Sequence, residues 1–353
     1  MNEQAAVSGP PVVTDHGAVH ILGVGSSVPT RVISNDDISF WAGVSPDWIS
    51  SRTGIRERRY ADPHIATSDL AVSAARAALD DAGLGAQDID AIVVATSTPD
   101  HPQPSTAVLV QDQLGARGIP AFDLNAVCAG FLYGLGVVQG LLQTQLVGGN
   151  VLLIGADIYS RIMDRTDAKT VSLFGDGAGA VMLSTRAGTG GLGALRLVAH
   201  GEHSNLVRVE AGGSREPADA GSVRDGRHHF RMKGREVKDY AVTTLIELTS
   251  QVLDREGIDI EHVDRFIFHQ ANVRLLEMYA DAVGVDRSRV ALTAPEFGNT
   301  AAACIPLTLD MERRRLPFVP GERLLLGSVG GGMTAGMASY VWNPEVRHGT
   351  SVA

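Results

Sequence analysis

Two stretches of the chain carry the same succession of apolar and polar positions. Residues 74–94 and 248–268 each hold a helix-period segment that ends at Leu-Asp, followed by a glycine, a short acidic link and a short apolar run. Each glycine stands where a helix C-cap belongs, and each apolar run is short enough to be a buried strand. All matched positions are 174 residues apart: Leu79 with Leu253, Gly83 with Gly257, and Asp90 with Asp264.

The correspondence roughly persists downstream: Asn125 matches Asn299 at the same spacing, and, with an offset, residues 150–157 resemble 323–331 and residues 175–184 resemble 330–342. Any α/β protein can repeat helix, glycine and strand by chance, but an ordered series of matches favours duplication. We therefore predict two similar α/β halves, residues 19–190 and 191–345, each with helices packed on a sheet. A flexible leader (1–18), a tail (346–353) and an inserted loop region (200–236) complete the predicted organisation.

Composition narrows the class of protein. The 353 residues are 44% hydrophobic and 20% charged, which is typical of a folded globular chain. A net charge of −10 argues against nucleic acid or an anionic membrane as the main partner. Two cysteines are too few for a disulfide framework or a cysteine-rich zinc site, and they fit a reducing compartment. Without a signal-peptide pattern or an apolar stretch long enough to span a bilayer, the sequence predicts a cytoplasmic protein.

Cys128 is the candidate nucleophile. A strand-like segment precedes it, and a nearly all-apolar helical pattern follows from Phe131 to Leu141, which predicts a buried central helix that begins at the cysteine. The unpaired N–H groups and positive dipole end of such a helix favour a thiolate and lower its pKa. Small neighbours, among them Ala129 and Gly130, leave room for a substrate. The alternative is a buried, inert cysteine.

Three further residues are weaker candidates when taken alone. Cys304 precedes Ile-Pro in an alanine-rich segment and is typical of core packing. His269 follows an apolar run, so it stands at a sheet edge, where ligands bind in α/β folds; a structural histidine is the alternative. Asn299 lies between glycine and threonine and fits a turn residue equally well. Cys128, His269 and Asn299 could converge if they occupy strand ends of duplicated halves, although spacing alone does not establish this.

Six motifs in chain order make the sequence resemble the thiolase superfamily, and specifically β-ketoacyl-acyl-carrier-protein synthase III. They are TGIRER at 53–58, AVCAGF at 126–131, FGDGAGA at 174–180, HQAN at 269–272, GNTAAACIP at 298–306 and VGGG at 329–332. The resemblance covers residues 19–343. It implies a thiolase-like α/β fold with a five-layered αβαβα core of duplicated βαβ halves, and a homodimer.

The resemblance also implies a mechanism that needs no cofactor and no metal. Cys128, His269 and Asn299 would form the catalytic triad, and the backbone N–H groups of Cys128 and Gly331 the oxyanion hole. Cys128 would take an acyl group from acyl-CoA, and a malonyl thioester, on CoA or acyl carrier protein, would lose CO2 and attack it. Thiolases carry a second cysteine near the last glycine-rich loop, and elongating ketosynthases a second histidine in place of Asn299. Decarboxylative Claisen condensation therefore fits best.

Contacts to coenzyme A follow from motif positions. Trp48 matches the aromatic residue that stacks on adenine, although a core tryptophan is the alternative for this residue alone. Arg52 and Arg161 match basic residues at the nucleotide end, and Asn272 and Gly234 line the pantetheine tunnel.

Two departures from the family affect the carrier and the starter. Arg274 keeps one basic position of the carrier-docking face, but Asp239 replaces a lysine, and Asp281 and Ala282 replace a basic pair; docking of an acyl carrier protein is therefore weakened. Gln103 matches a large apolar residue with which the partner subunit closes the acyl pocket in relatives. A polar closure favours a polar, branched or longer starter over acetyl, unless Gln103 faces solvent.

Three functions remain open at this stage. The first is condensation of an acyl-CoA with a malonyl thioester. The second is transfer of the acyl group from Cys128 to a hydroxyl or amine in secondary metabolism, which the weakened docking face favours. The third is a non-catalytic partner subunit, which the intact Cys128, His269 and Asn299 disfavour.

Overall fold

A computed structural model describes residues 17–186 and 189–343. Nearly all of the predicted leader (1–18) and the whole predicted tail (346–353) lie outside these ranges. The strands are β1 (Ala18–Ser27), β2 (Val32–Ser34), β3 (Glu57–Arg59), β4 (Ala91–Ala95), β5 (Ala121–Leu124), β6 (Asn150–Asp157), β7 (Gly177–Arg186), β8 (Gly191–Ala199), β9 (Val207–Val209), β10 (Phe230–Met232), β11 (Arg265–Phe268), β12 (Arg323–Gly330) and β13 (Thr334–Val341).

The helices are α1 (Asn35–Ala42), α2 (Pro46–Thr53), α3 (Thr67–Ala82), α4 (Thr106–Leu114), α5 (Gly130–Gln143), α6 (Ala168–Val171), α7 (Ala220–Arg224), α8 (Gly234–Glu256), α9 (Val273–Val283), α10 (Ala294–Phe297) and α11 (Cys304–Arg315). The predicted C-caps are confirmed: α3 ends at Gly83 and α8 at Gly257, both left-handed, with φ +68° and +66°. Among the described residues, no helix is both long and apolar enough to cross a bilayer.

Two large sheets share one strand order. The first runs β1-β7-β6-β4-β5, and the second, read from its other edge, runs β8-β13-β12-β11. In both, the strand that precedes an outer helix (β4 before α4, β11 before α9) pairs in parallel with its neighbour (β6 or β12), and the next strand (β7 or β13) is antiparallel. The counterpart of β5 is reduced to a single bridge between Phe266 and Val290. The chain passes from one sheet to the other between β7 and β8.

Five layers of secondary structure are packed together through three apolar clusters, as predicted for the fold, and the central cluster lies on both sides of the middle helix layer. Helices α3 and α4 cover the outer face of the first sheet, and α8 and α9 cover the outer face of the second. Helices α5 and α11 lie between the sheets: Leu132 and Leu309 pack with Val93 from the first sheet and Leu326 from the second. Neighbouring residues of β4 point to opposite layers, since Ile92 belongs to the outer one.

The central helices approach the first sheet closely because glycines face them. A Cβ on Gly155 of β6 would lie 2.3 Å from the carbonyl oxygen of Ala302, and one on Gly179 of β7 would lie 2.5 Å from the amide nitrogen of Leu307. No side chain fits at either position. This contact fixes the start of α11 against β6 and β7.

The predicted inserted loop region, residues 200–236, contains regular structure that the sequence did not predict. Strands β9 and β10 form an antiparallel hairpin in which Val207 pairs with Met232 and Val209 with Phe230. The segment between them carries α7, and α8 already begins at Gly234. The two strands are short and the exposed segment between them is charged, so the alternation typical of strands is not visible in the sequence. The inner side chains of the two strands line the cavity described next.

Candidate active site

Two short turns of equal shape bring the site together, one from each half. Val127 and Ala301 each adopt a positive φ, +50° and +51°, and each opens a turn of 3₁₀ helix that continues into a buried helix. The side-chain oxygen of Asn125 accepts from the Val127 N–H at 3.0 Å, and that of Asn299 accepts from the Ala301 N–H at 2.9 Å. Positive φ at a β-branched residue costs on the order of 1–3 kcal/mol, so the surrounding contacts must enforce the turn.

The second half of the chain holds the turn that carries Cys128. The Ser328 hydroxyl donates to the Cys128 carbonyl at 2.8 Å, and the Thr334 hydroxyl donates to the Ala126 carbonyl at 2.9 Å. A Cβ on Gly330 would lie within 2.9 Å of the Cys128 amide nitrogen, so only glycine lets β12 pass this close. The nucleophile therefore sits on a turn fixed by strands of the opposite sheet.

One cavity is lined by Cys128, His269, Asn299 and Gly331 together. Its remaining wall is mainly apolar. It comes from the Cys128 turn, the β9–β10 hairpin, helices α8 and α9 and the final glycine-rich turn, and includes Val127, Phe174, Val207, Phe230, Met232, Val237, Ala241, Leu245, Ala271, Leu275 and Met333. An apolar cavity with a few convergent polar groups is typical of a small-molecule site.

Burial raises the pKa of the Cys128 thiol well above its ordinary value, and the nearby Asp157 carboxylate raises it further. A hydrogen bond to the cysteine's own backbone acts in the opposite direction but is the weaker effect. The predicted lowering of this pKa by the helix N-terminus is therefore wrong, because removal of water outweighs the helix end. The thiol is protonated at neutral pH, so a base must take its proton before it attacks a thioester.

His269 is suited to that role. It follows β11 directly, is 7% exposed, and burial lowers its pKa to about 4, so its imidazole is neutral at pH 7. The next residue anchors the turn: Gln270 donates to the carbonyls of Phe268 and Ala291, and its oxygen accepts from the amides of Thr293 and Ala294. Hydrogen bonds from both the nitrogen and the oxygen of the Gln270 side chain thus fix the turn on which His269 lies.

Asn299 is 4% exposed, and its amide has a defined orientation. Its Oδ1 accepts from the Ala301 N–H and, at 3.7 Å, from the Cys304 thiol. Both contacts occupy the oxygen and leave the Nδ2 hydrogens for a substrate oxygen. Burial raises the pKa of Cys304 to about 11, so its thiol keeps the proton that it donates. The prediction of core packing for Cys304 is therefore incomplete: the residue is buried, yet it contacts the site.

Asp157, which the sequence analysis missed, connects the two halves beneath the site. This fully buried carboxylate accepts from the Ala302 amide at 3.0 Å in the Asn299 turn. It also accepts from the Ser97 amide at 2.9 Å and the Thr98 amide at 3.1 Å in the loop after β4. Nothing in the sequence marks it, since the aspartate simply ends an apolar strand.

The residues predicted to contact coenzyme A separate into two groups. Arg52 lies over the Trp48 ring at 5.3 Å on helix α2, which is tied to the start of α9 by a 3.1 Å bond from Arg274 to the Ser51 carbonyl. Asn272 caps α9, accepting from the Leu275 amide at 2.9 Å. Gly234 is exposed at the first residue of α8.

Arg161 lies elsewhere. Its guanidinium donates to the carbonyls of Asp62, Pro63 and Ile65 at 2.8, 3.1 and 3.1 Å, and it lines a separate surface hollow. Gln103 is exposed and does not line the cavity of the single chain. Its predicted place in the acyl pocket of a partner subunit stays a prediction.

Within residues 17–186 and 189–343, no cluster of three or more His, Cys, Asp or Glu side chains is arranged to hold a metal ion.

Two family models match the chain. The model described as 3-oxoacyl-[acyl-carrier-protein (ACP)] synthase III matches residues 122–201, and that of its C-terminal part matches residues 253–342. An acetoacetyl-CoA synthase of a Streptomyces species is 46% identical over 325 residues, which cover 91% of this chain and 98% of the relative. A β-ketoacyl-[acyl-carrier-protein] synthase III of Streptomyces coelicolor is 44% identical over 326 residues, with 91% and 96% covered.

Solved structures agree. The synthase III of Pseudomonas aeruginosa superimposes with a TM-score of 0.85 at 38% identity, over 92% of this chain and 98% of that one. A priming β-ketosynthase of a polyketide pathway gives a TM-score of 0.85 at 29% identity, over 95% and 100%. These matches confirm the predicted thiolase-like fold. With relatives this similar over nearly their whole length, the chain belongs to the 3-oxoacyl-[acyl-carrier-protein] synthase III family of condensing enzymes.

Proposed function

We propose that the protein joins an acyl-CoA starter to malonyl-CoA through an acyl group on Cys128, and releases a 3-ketoacyl-CoA, CO2 and free coenzyme A. Family membership gives the class of reaction, decarboxylative Claisen condensation. One observation supports the assignment of residues: Cys128, His269 and Asn299 line a single apolar cavity and come from three different segments of the chain.

The first step loads the starter. The neutral His269 accepts the Cys128 proton, and the sulfur attacks the thioester carbonyl of acyl-CoA. The N–H groups of Cys128 and Gly331 would hold the oxygen that becomes negative, a contribution of roughly 3–4 kcal/mol per donor. As the bond to the CoA sulfur breaks, that sulfur takes the proton and leaves as free coenzyme A. His269 is essential as the base because the raised pKa of the Cys128 thiol keeps the thiol protonated.

The second step forms the carbon–carbon bond. The carboxylate of the malonyl group leaves as CO2, and the negative charge moves to the thioester oxygen as an enolate. The Asn299 Nδ2–H and an imidazole N–H of His269 would donate to that oxygen. The enolate carbon then attacks the acyl carbonyl, and the Cys128 sulfur leaves as a thiolate and takes up a proton from water. Because the cavity is apolar, it stabilises the malonyl carboxylate less well than water does, which favours loss of that group as neutral CO2.

The charges at the positions matched to the carrier-docking face support coenzyme A as the carrier of the malonyl group. Arg274 forms a 2.8 Å ion pair with Glu277, Arg287 pairs with Asp281 at 2.6 Å, and Lys238 lies 3.6 Å from Asp239. Cations paired within the chain offer little net attraction to an acidic carrier protein. The acetoacetyl-CoA synthase relative, as its name states, makes a CoA thioester.

We also propose that the protein is a homodimer located in the cytoplasm. Strand β5 is the edge of the first sheet, and its four residues are all half-buried in the single chain. An open edge of this kind is a natural place for a second copy to add its own strand. The free cysteines fit a reducing compartment.

Intact-protein mass spectrometry tests the first step. Wild type, Cys128→Ala and Cys304→Ser are incubated with acetyl-CoA and longer acyl-CoAs, and adducts are expected on wild type and on Cys304→Ser only. A chase with malonyl-CoA should remove the adduct and yield 3-ketoacyl-CoA and CO2. An adduct that ignores malonyl donors and leaves with an alcohol or amine would instead support acyl transfer. An adduct that persists on Cys128→Ala would contradict the assignment of the nucleophile.

The donor is tested with malonyl-CoA against a malonyl-loaded acyl carrier protein. Wild type should use malonyl-CoA at least tenfold more efficiently. The double variant Asp239→Lys/Asp281→Lys should gain activity with the carrier and keep its activity with malonyl-CoA, because neither residue lines the cavity. A wild type that prefers the carrier would overturn the choice of coenzyme A and leave the condensation itself intact.

A further inference from the structure

Two of the six sequence motifs, TGIRER and FGDGAGA, supply no group to the two proposed reaction steps, and they meet at Arg58. A Cβ on Gly175 would lie 3.1 Å from the Cβ of Arg58, and a Cβ on Gly298 would lie 3.2 Å from the same atom. Gly298 directly precedes Asn299 in the chain. The side chain of Arg58 therefore lies against the turn that carries the amide donor of the second step.

The backbone of Asn299 is held through both of its polar groups by the segment 173–175. Its N–H donates to the Leu173 carbonyl at 2.8 Å, and its carbonyl accepts from the Gly175 N–H at 3.0 Å. Gly298, just before it, has φ +65° and ψ −157°, a combination that is essentially restricted to glycine. The direction of the Asn299 amide therefore depends on where this segment lies.

Strand β3 holds this segment at both ends. At one end the Nη2 of Arg58 donates to the Ser172 carbonyl at 2.6 Å. At the other end the Asp176 N–H donates to the Arg59 carbonyl at 2.8 Å, and the Asp176 carboxylate accepts from the Ala61 N–H at 2.7 Å. The bond to Ser172 comes from a side chain, so a substitution at Arg58 can release this end and leave the backbone bonds of the other end in place.

The Arg58 guanidinium is fully buried and binds neutral acceptors. Besides the Ser172 carbonyl, it donates to the Oδ1 of Asn35 at 2.8 Å, and within the described part of the chain it forms no ion pair. Burial lowers the pKa of Arg58 to about 10, so the group is charged at pH 7. A neutral donor could hold the same carbonyl at a smaller desolvation cost. Proteins keep such unfavourable groups chiefly at functional sites.

We infer that Arg58 is a positioning residue for the carbon–carbon bond-forming step, because it fixes the segment 173–175 and thereby directs the Asn299 amide toward the enolate oxygen. The inference rests on the proposed function, since it concerns the donor that Asn299 supplies in the second step. Cys128 is held by other contacts, from the hydroxyls of Ser328 and Thr334 in the second sheet. Loading of the starter therefore does not depend on Arg58.

The test separates the two half-reactions. Intact-protein mass spectrometry follows acylation of Cys128 by acetyl-CoA, and a malonyl-CoA chase of the acylated protein follows condensation. Arg58→Met keeps the apolar stem and loses the donors, so condensation should slow by about 10- to 100-fold through kcat, while acylation changes by less than about threefold. Arg58→Lys keeps the charge and one donor for the Ser172 carbonyl, and should recover most of the rate.

A double-mutant cycle with Asn299→Ala distinguishes positioning from a general loss of stability. If Arg58 acts through Asn299, adding Arg58→Met to Asn299→Ala should slow condensation by less than about threefold further. Fully additive losses overturn the inference. So does a folded Arg58→Met protein in which both half-reactions slow equally, or in which neither slows.

Arg313→Met is the matched control. Arg313 is also largely buried and pairs with Asp81 at 2.7 Å, near the end of α11. Its loss should lower the unfolding temperature and leave both half-reactions unchanged. If thermal unfolding shows that Arg58→Met is not folded, Arg58→Lys and Asn35→Ala, which removes one acceptor of the guanidinium, decide by the same ratio of rates. A wild type that no acyl-CoA labels contradicts the proposed function itself, whereas the outcomes against Arg58 leave loading and condensation by wild type intact.

Discussion

The two turns that meet at the cavity share a backbone and differ in chemistry. In the first, Cys128 occupies the second position of the 3₁₀ turn; in the second, 174 residues further along, that position is Ala302. The asparagine before each turn accepts the same N–H bond, yet Asn125 is exposed and Asn299 is buried in the cavity. The first turn supplies a nucleophile, and the second supplies an oriented amide.

The residue after the buried strand differs in the same way. His269 follows β11, while the position 174 residues earlier is Ala95, the last residue of β4. A Cβ on Gly130 would lie 3.2 Å from the Ala95 methyl and 3.7 Å from the Ala302 methyl. The place equivalent to the active site is thus filled by small side chains that let the central helix pack closely. Duplication provides two scaffolds, of which one is used for chemistry and the other for packing.

Removal of the nucleophile should have the largest effect on activity. Cys128→Ala makes the first turn resemble the second, so acyl adducts should vanish and condensation should fall by roughly 10³-fold or more. Steady-state rates of CO2 release, measured beside the mass of the protein, check this. Decarboxylation of malonyl-CoA without a starter should survive in part, because His269 and Asn299 remain. Full condensation in this variant would mean that the sulfur of Cys128 is not the acyl carrier.

The two asparagines provide the next test. Asn299→Ala removes a donor to the enolate oxygen and should lower the condensation rate by about 10²–10³-fold while acylation of Cys128 changes little. Asn125→Ala is the matched control, since it loses the equivalent bond to Val127 and should alter the unfolding temperature more than either rate. Single-turnover acylation and the malonyl-CoA chase separate the two steps. Equal losses for both variants would show that Asn299 acts only through its turn.

The architecture was predictable because it repeats. Gly83 and Gly257 mark helix ends by their freedom to adopt positive φ, and the apolar runs after them mark buried strands, so pattern alone located α3 with β4 and α8 with β11. The β9–β10 hairpin was not predictable in this way. Its strands have three residues each, and the charged segment between them makes the whole region resemble a loop.

The sequence predicts which residues form the site, but it does not predict their pKa values. Motifs identify Cys128, and its place at the start of a buried helix follows from the apolar pattern. The same burial that the pattern predicts removes the water that would stabilise a thiolate, and this effect dominates the pKa. Asp157 was missed because its importance depends on contacts between segments far apart in the chain, which periodicity does not report.

The buried imidazole makes stability depend on pH. The pKa of His269 is lowered to about 4 in the folded protein, below its unfolded value of 6.5. Between these values the unfolded chain binds more protons, so the free energy of unfolding should fall as pH drops from about 6.5 to 4, by on the order of 3 kcal/mol. His269→Gln should lack this part of the loss. Urea unfolding of both proteins at pH 7.5, 5.5 and 4.0 measures it, and parallel curves would contradict the assignment of a neutral histidine.

The smallest effect is expected at Cys304, which distinguishes the second turn from the first by one contact. Its thiol donates to Asn299 Oδ1, and the equivalent residue of the first turn is Gly130, which has no side chain to do so. Cys304→Ala should therefore slow condensation only about three- to tenfold, through a less well oriented amide, and leave acylation of Cys128 unchanged. Cys304→Ser, whose hydroxyl can donate in place of the thiol, should recover most of the rate. If both variants match wild type in the malonyl-CoA chase, the Ala301 N–H alone is enough to orient Asn299.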